Sequence, residues 1–65
     1  MDPNATLYTA LNAARNIIKA IDATSHEEDI DANALEHDAS DLAEALIALD
    51  EWITKGGFVP ERWAR

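Results

Sequence analysis

The sequence contains no cysteine. Disulfides and thiolate zinc sites are therefore excluded as staples for a small fold. Glycine and proline number two each, and none falls between Asn4 and Lys55. Long helices can run there without a breaker. Bases are scarce: 5 Lys and Arg stand against 13 Asp and Glu, a formal net charge of −8. That deficit excludes direct nucleic-acid binding through a basic footprint. It equally excludes docking on an anionic membrane surface. No apolar stretch approaches the roughly 18 residues of a membrane span. The first residues lack the basic region and apolar run of a signal peptide. Together with the missing cysteine, this leads us to expect a cytoplasmic protein.

A chain of 65 residues is expected to form one domain, residues 1–65. At 7.1 kDa, surface scaling gives a folded area of about 4,000 Å² against about 10,000 Å² unfolded. A chain this small needs very good helix packing or a partner. Its 48% hydrophobic content overstates the core, because 13 of those residues are alanine. The few large apolar side chains must be well placed.

Their spacing predicts two helices. The first runs over about 3–22. Asp2 is a suitable N-cap and Pro3 suits the first helical position, where its missing N–H is not needed. Leu7, Leu11, Ala14, Ile18 and Ile21 recur in steps of 4, 3, 4 and 3, one stripe of a 3.5-residue period. Tyr8, Ala10, Ala13 and Ile17 widen it. Arg15 and Lys19 are expected in the last two turns, where positive charge suits the helix dipole. After a connection through Ala23 to Ile30, the second helix runs over about 32–55. Asp31 is its expected N-cap, and Ile30 and Leu35 make a hydrophobic staple. Its stripe is Leu35, Ala39, Leu42, Leu46, Leu49 and Ile53, flanked by Ala43, Ala45 and Trp52. Gly56 stands where a left-handed helix stop is favoured.

The expected fold is thus all-α, an antiparallel helical hairpin. Phe58, Val59 and Trp63 are too apolar for a free tail, so the aromatic ending is expected to fold back onto the hairpin near Trp52. Pro60 suits the start of one helical turn there. Two narrow stripes cannot enclose a core by themselves. Two hairpins pairing as a four-helix bundle would bury both, so a homodimer is expected, with a core or dimer interface of Leu7, Leu11, Ile18, Ile21, Leu35, Leu42, Leu46, Leu49 and Ile53. Of the 13 acids, 11 lie between Asp22 and Glu51, a span without Lys or Arg. Their repulsion opposes pairing, which should strengthen with salt.

Catalytic and metal chemistry find no foothold. Asp29, Asp31 and Asn33 alternate like the start of an EF-hand loop, but Ala34 and Ser40 stand where the loop needs Gly and Glu. His37 and Asp41 lie four apart on one face with Glu44 beyond, a spacing more often solvated than metal-bound. Ser25 and Ser40 have no glycine-rich elbow, and Gly56-Gly57 lacks the following helix start of a phosphate loop. Exposed carboxylates on a hairpin have no cleft to desolvate them. Neither an enzyme nor a cofactor is expected.

One segment carries a resemblance. The run from Ala48 through Asp50, Trp52, Gly56, Gly57, Phe58 and Pro60 to Trp63 resembles the ending of many short open reading frames of actinobacteria and their phages. Those close on a pattern of the type Leu-Asp-x-Trp-Leu-x-x-Gly-Gly-Phe-Leu-Pro-x-x-Trp. The likeness covers 16 residues, with Ile53 and Val59 in place of leucine. It implies an origin, a small accessory protein of a mycobacteriophage-like phage or its host, acting in the host cytoplasm. It implies no activity and transfers no functional residue. Three roles then compete. The first is a protein–protein interaction module that docks a host or phage protein through Trp52, Phe58 and Trp63. The second is an acidic mimic of DNA that uses Glu36, Asp41 and Glu44 to inhibit a DNA-binding host protein. The third is a self-assembling structural subunit.

Overall fold

The computed structural model describes residues 1–24 and 32–64. Helix α1 spans Pro3–Thr24, helix α2 spans Ala32–Thr54, and a single 3₁₀ turn follows at Glu61–Trp63. No strand occurs among the described residues. The two helices pack against each other as a hairpin. They must be antiparallel. A 22-residue helix is about 33 Å long, and the seven residues between the helices reach at most about 25 Å.

The helix ends are built as their residue types dictate. Asp2 Oδ1 accepts hydrogen bonds from the Asn4 N–H at 2.9 Å and the Ala5 N–H at 3.4 Å, which satisfies two orphan donors of the first turn. The Thr6 hydroxyl donates to the Asp2 carbonyl at 3.0 Å. At the other end, the Gly57 N–H donates to the Trp52 carbonyl at 2.8 Å and the Gly56 N–H to the Ile53 carbonyl at 3.0 Å. With φ of 98° at Gly56, this is a Schellman stop. Helix α1 runs two residues beyond its expected end at 22, so its last turn holds no base. Arg15 and Lys19 therefore stand too far from the C-terminus to complement the dipole. The expected Asp31 cap and the Ile30–Leu35 staple lie outside the described residues.

The buried line differs from the expected stripes by a rotation. In α1 the inward residues are Pro3, Leu7, Ala10 and Ala13, with Thr6, Leu11, Ala14, Ile17 and Ala20 half-buried. In α2 they are Ala45 and Leu49, with Leu35, Asp38, Leu42, Trp52 and Ile53 half-buried. Ile18, Ile21 and Leu46 are 59%, 53% and 56% exposed. Tyr8, Ala39 and Ala43 are exposed too. At 100° per residue, each helix has turned about 50° from its expected stripe. Two things select this arrangement. Ala10, Ala13 and Ala45 on the seam let the helix axes approach closely. Trp52 also shares its row with Ala45 and Asp38, and it must face the seam to reach the returning tail.

That tail closes the foot of the hairpin. Pro3, Leu49 and Pro60 are the most completely buried large residues. The Glu61 N–H donates to the Asn4 side-chain oxygen at 2.7 Å, a tether across 57 positions of sequence. The chain folds back as expected near Trp52, against which Phe58 packs, and is further held through Pro60 and this hydrogen bond. Phe58 and Trp63 stay 65% and 50% exposed.

The result is one helix layer. The principal extents are 45 × 22 × 14 Å, and the smallest is close to the width of a single helix with its side chains, about 10–12 Å. The radius of gyration is 14.1 Å, against about 11 Å for a compact chain of this length. The buried apolar core comprises Leu7, Ala10, Ala13, Ala45 and Leu49. Leu49 is thus irreplaceable, whereas Ile47 on the outer face is not. Leu49→Ala should cost about 2–5 kcal/mol and Ile47→Ala less than about 0.5 kcal/mol, as read from urea denaturation followed by circular dichroism. Equal costs would contradict the assigned seam.

Candidate interaction surfaces

The aromatic end is a clamp. The Trp52 indole N–H donates to the Phe58 carbonyl at 2.9 Å. The two rings meet edge to face, with centroids 5.6 Å apart at 85°, a geometry favoured by the ring quadrupoles. Gly57 lies beneath the indole. A Cβ there would fall 2.5 Å from Trp52 Nε1 and 2.6 Å from Cδ2, so only glycine fits. Trp52 therefore serves the fold with its body and its N–H. The exposed surface here belongs to Phe58, Trp63 and the 39%-exposed Val59. Next to them, Asn4, Leu7, Tyr8, Glu61 and Arg62 line an open depression between α1 and the 3₁₀ turn. Tyr8, 69% exposed, was placed with the stripe by spacing and belongs instead to this end.

A second apolar surface lies along the helices. Relative to the seam, Leu11 and Ile18 of α1 are turned toward one flank. Ala39, Ala43 and Leu46 of α2 are turned in the same rotational sense about their own axis. Because the helices are antiparallel, equal rotation brings both rows to the same side of the layer. The opposite side is polar. There Thr6 and Thr9 of α1 line a depression with Asp41, Glu44 and Ala45 of α2.

The acidic candidates do not form one row. Asp41 and Glu44 border that polar depression. Glu36 stands further round α2, bordering a depression lined, among the described residues, by Asn33, Glu36, His37, Ser40 and Asp41. His37 Nδ1 lies 3.4 Å from Asp41 Oδ2, and both side chains are well exposed. Among the described residues no group of three His, Asp or Glu side chains is placed to hold a metal ion. No helix there is long and apolar enough to cross a membrane.

Compared with protein-family models, curated proteins and solved structures, the chain matches none. Spacing alone missed Asn4, whose side chain anchors the tail, and Ile47, 59% exposed on the outer face. A lone Asn near a helix start signals a capping role, and nothing local to it points to Glu61.

The clamp makes a sharp prediction. Gly57→Ala should push the indole aside and cost about 1–3 kcal/mol through overpacking. Gly56→Ala, strained only by its positive φ, should cost about 1 kcal/mol. The indole N–H of Trp52 should exchange with deuterium much faster in Gly57→Ala than in the parent chain. An unchanged rate would show that the indole is not held there.

Proposed function

We propose that the chain is a small, acidic, non-catalytic protein–protein interaction module. In this reading it is an accessory protein, phage-encoded as its C-terminal ending suggests, and acts in the host cytoplasm. One observation carries it. Nine large apolar side chains among the described residues stand 39–69% exposed, and those gathered at the aromatic end, Tyr8, Phe58, Val59 and Trp63, make the kind of apolar surface that marks an interaction site. The nine fall mainly into two groups, the aromatic end and the helix flank. The aromatic end suits a protein partner with an apolar pocket, because Phe58, already held edge to face by Trp52, loses little freedom on docking. Pairing of two hairpins into a four-helix bundle belongs to the same reading, supported by the single-layer thickness.

The DNA-mimic role has less support. Glu36 and Glu44 border different depressions, with only Asp41 common to the two, whereas a phosphate row is a line. A self-assembling structural subunit would need assemblies larger than a dimer.

The two interaction readings part in a capture experiment. Tagged protein is incubated with nuclease-treated actinobacterial lysate and washed at low and high salt. A partner retained at high salt, lost with Phe58→Ala or Trp63→Ala and kept with Glu36→Gln, Asp41→Asn and Glu44→Gln, is the expected result. A DNA-binding partner released by salt and by the acid substitutions would replace this reading with mimicry.

A further inference from the structure

We infer that the apolar flank of the helix layer is covered by a second copy of this chain, related by a two-fold axis running parallel to the helices. This rests on the pairing of hairpins proposed above and specifies its surface and symmetry.

The first support is area. The accessible surface is 4991 Å², about 1,000 Å² more than the roughly 4,000 Å² that scaling gives a compact chain of this mass. A standard interface takes about 800 Å² from each partner. The excess is of the size that one dimer face would take. The flank also has the relief for close packing. The small residues Ala39 and Ala43 of α2 form a low strip beside the exposed Leu46, while on α1 Ile18 projects and the half-buried Leu11 leaves its outer edge on the same flank.

Relief and charge then select the axis. A two-fold axis in the interface can run across the helices or along them. Across them, α1 lies on α1 and α2 on α2, which stacks the acidic helix on itself. Along them, α1 of each copy lies antiparallel over α2 of the other. Thr6 and Thr9 stand level with Ala45 and Asp41, so Leu11 is level with the strip between Ala39 and Ala43. The axis along the helices therefore sets Leu11 of one copy into the alanine strip of the other, large against small. It also brings Arg15 of one copy level with Glu36 of the other, at the outer margin of the interface. Those pairs relieve part of the repulsion between two chains of charge −8, and like-on-like stacking provides no such relief.

The test is sedimentation equilibrium of the full chain, with circular dichroism to establish that each variant is helical. The parent should sediment at about twice 7.1 kDa at micromolar concentration. Ile18→Lys and Leu46→Lys should each weaken association at least about tenfold, whereas Ile47→Lys on the outer face should not. Arg15→Glu and Glu36→Arg should each weaken it, and the double variant should recover most of the loss. A monomeric parent at about 100 μM would remove the pairing itself. A dimer indifferent to Leu46→Lys but split by Ile47→Lys would leave pairing intact and overturn this surface. A charge pair that does not recover in the double variant would overturn the axis.

Discussion

Two helices make one layer, and one layer encloses only a narrow core. Every other feature of this molecule follows from that constraint. Stable domains bury their apolar stripes between layers, but here the seam is a line with only an edge of each helix on it. The chain meets the constraint in part by placing alanines on the seam. The backbones draw close, Leu7 and Leu49 become fully enclosed, and the larger side chains are turned out. The same alanines that permit close approach contribute little burial of their own. The interior is tight but small.

The foot of the hairpin compensates at one end. The helix stop at Gly56 and Gly57 reverses the chain, Trp52 holds the reversal through the Phe58 carbonyl, and Asn4 receives the Glu61 N–H. Pro60 is fully buried, as are Pro3 and Leu49, and it brings no backbone donor that would need a partner. A short cap of irregular chain thus becomes a third packing element where the hairpin would otherwise fray. The cost falls on Phe58 and Trp63, whose rings the cap cannot bury. Structure and function meet at this point: the residues that the fold fails to cover are the ones with most to gain from a partner.

Much of this was legible in the residues. Asp2 and Pro3 mark the start of α1, Gly56 and Gly57 mark the end of α2, and the unbroken 3.5-residue spacing marks both helices. Their observed limits differ from the spacing by at most two residues. The rotation of the seam was not legible. Periodicity ranks positions by size and apolarity, and Leu46, Ile18 and Ile21 outrank Ala45, Ala10 and Ala13 on that scale. The seam instead follows Trp52, whose orientation is set by a carbonyl six residues later and by the absence of a Cβ on Gly57. The Asn4–Glu61 bond escapes for the same reason, since it joins two chain ends that no local pattern connects. The exposed flank becomes visible only once the rotation is known.

If one layer depends on a second, folding and association are a single equilibrium, and stability must depend on protein concentration. The most direct measurement is the thermal unfolding midpoint, followed by circular dichroism at 222 nm, over about a hundredfold range of concentration. The account predicts a midpoint that climbs steadily with concentration, by several degrees over that range. A midpoint that stays constant throughout would mean that the lone hairpin is stable by itself and that its apolar flank needs no cover.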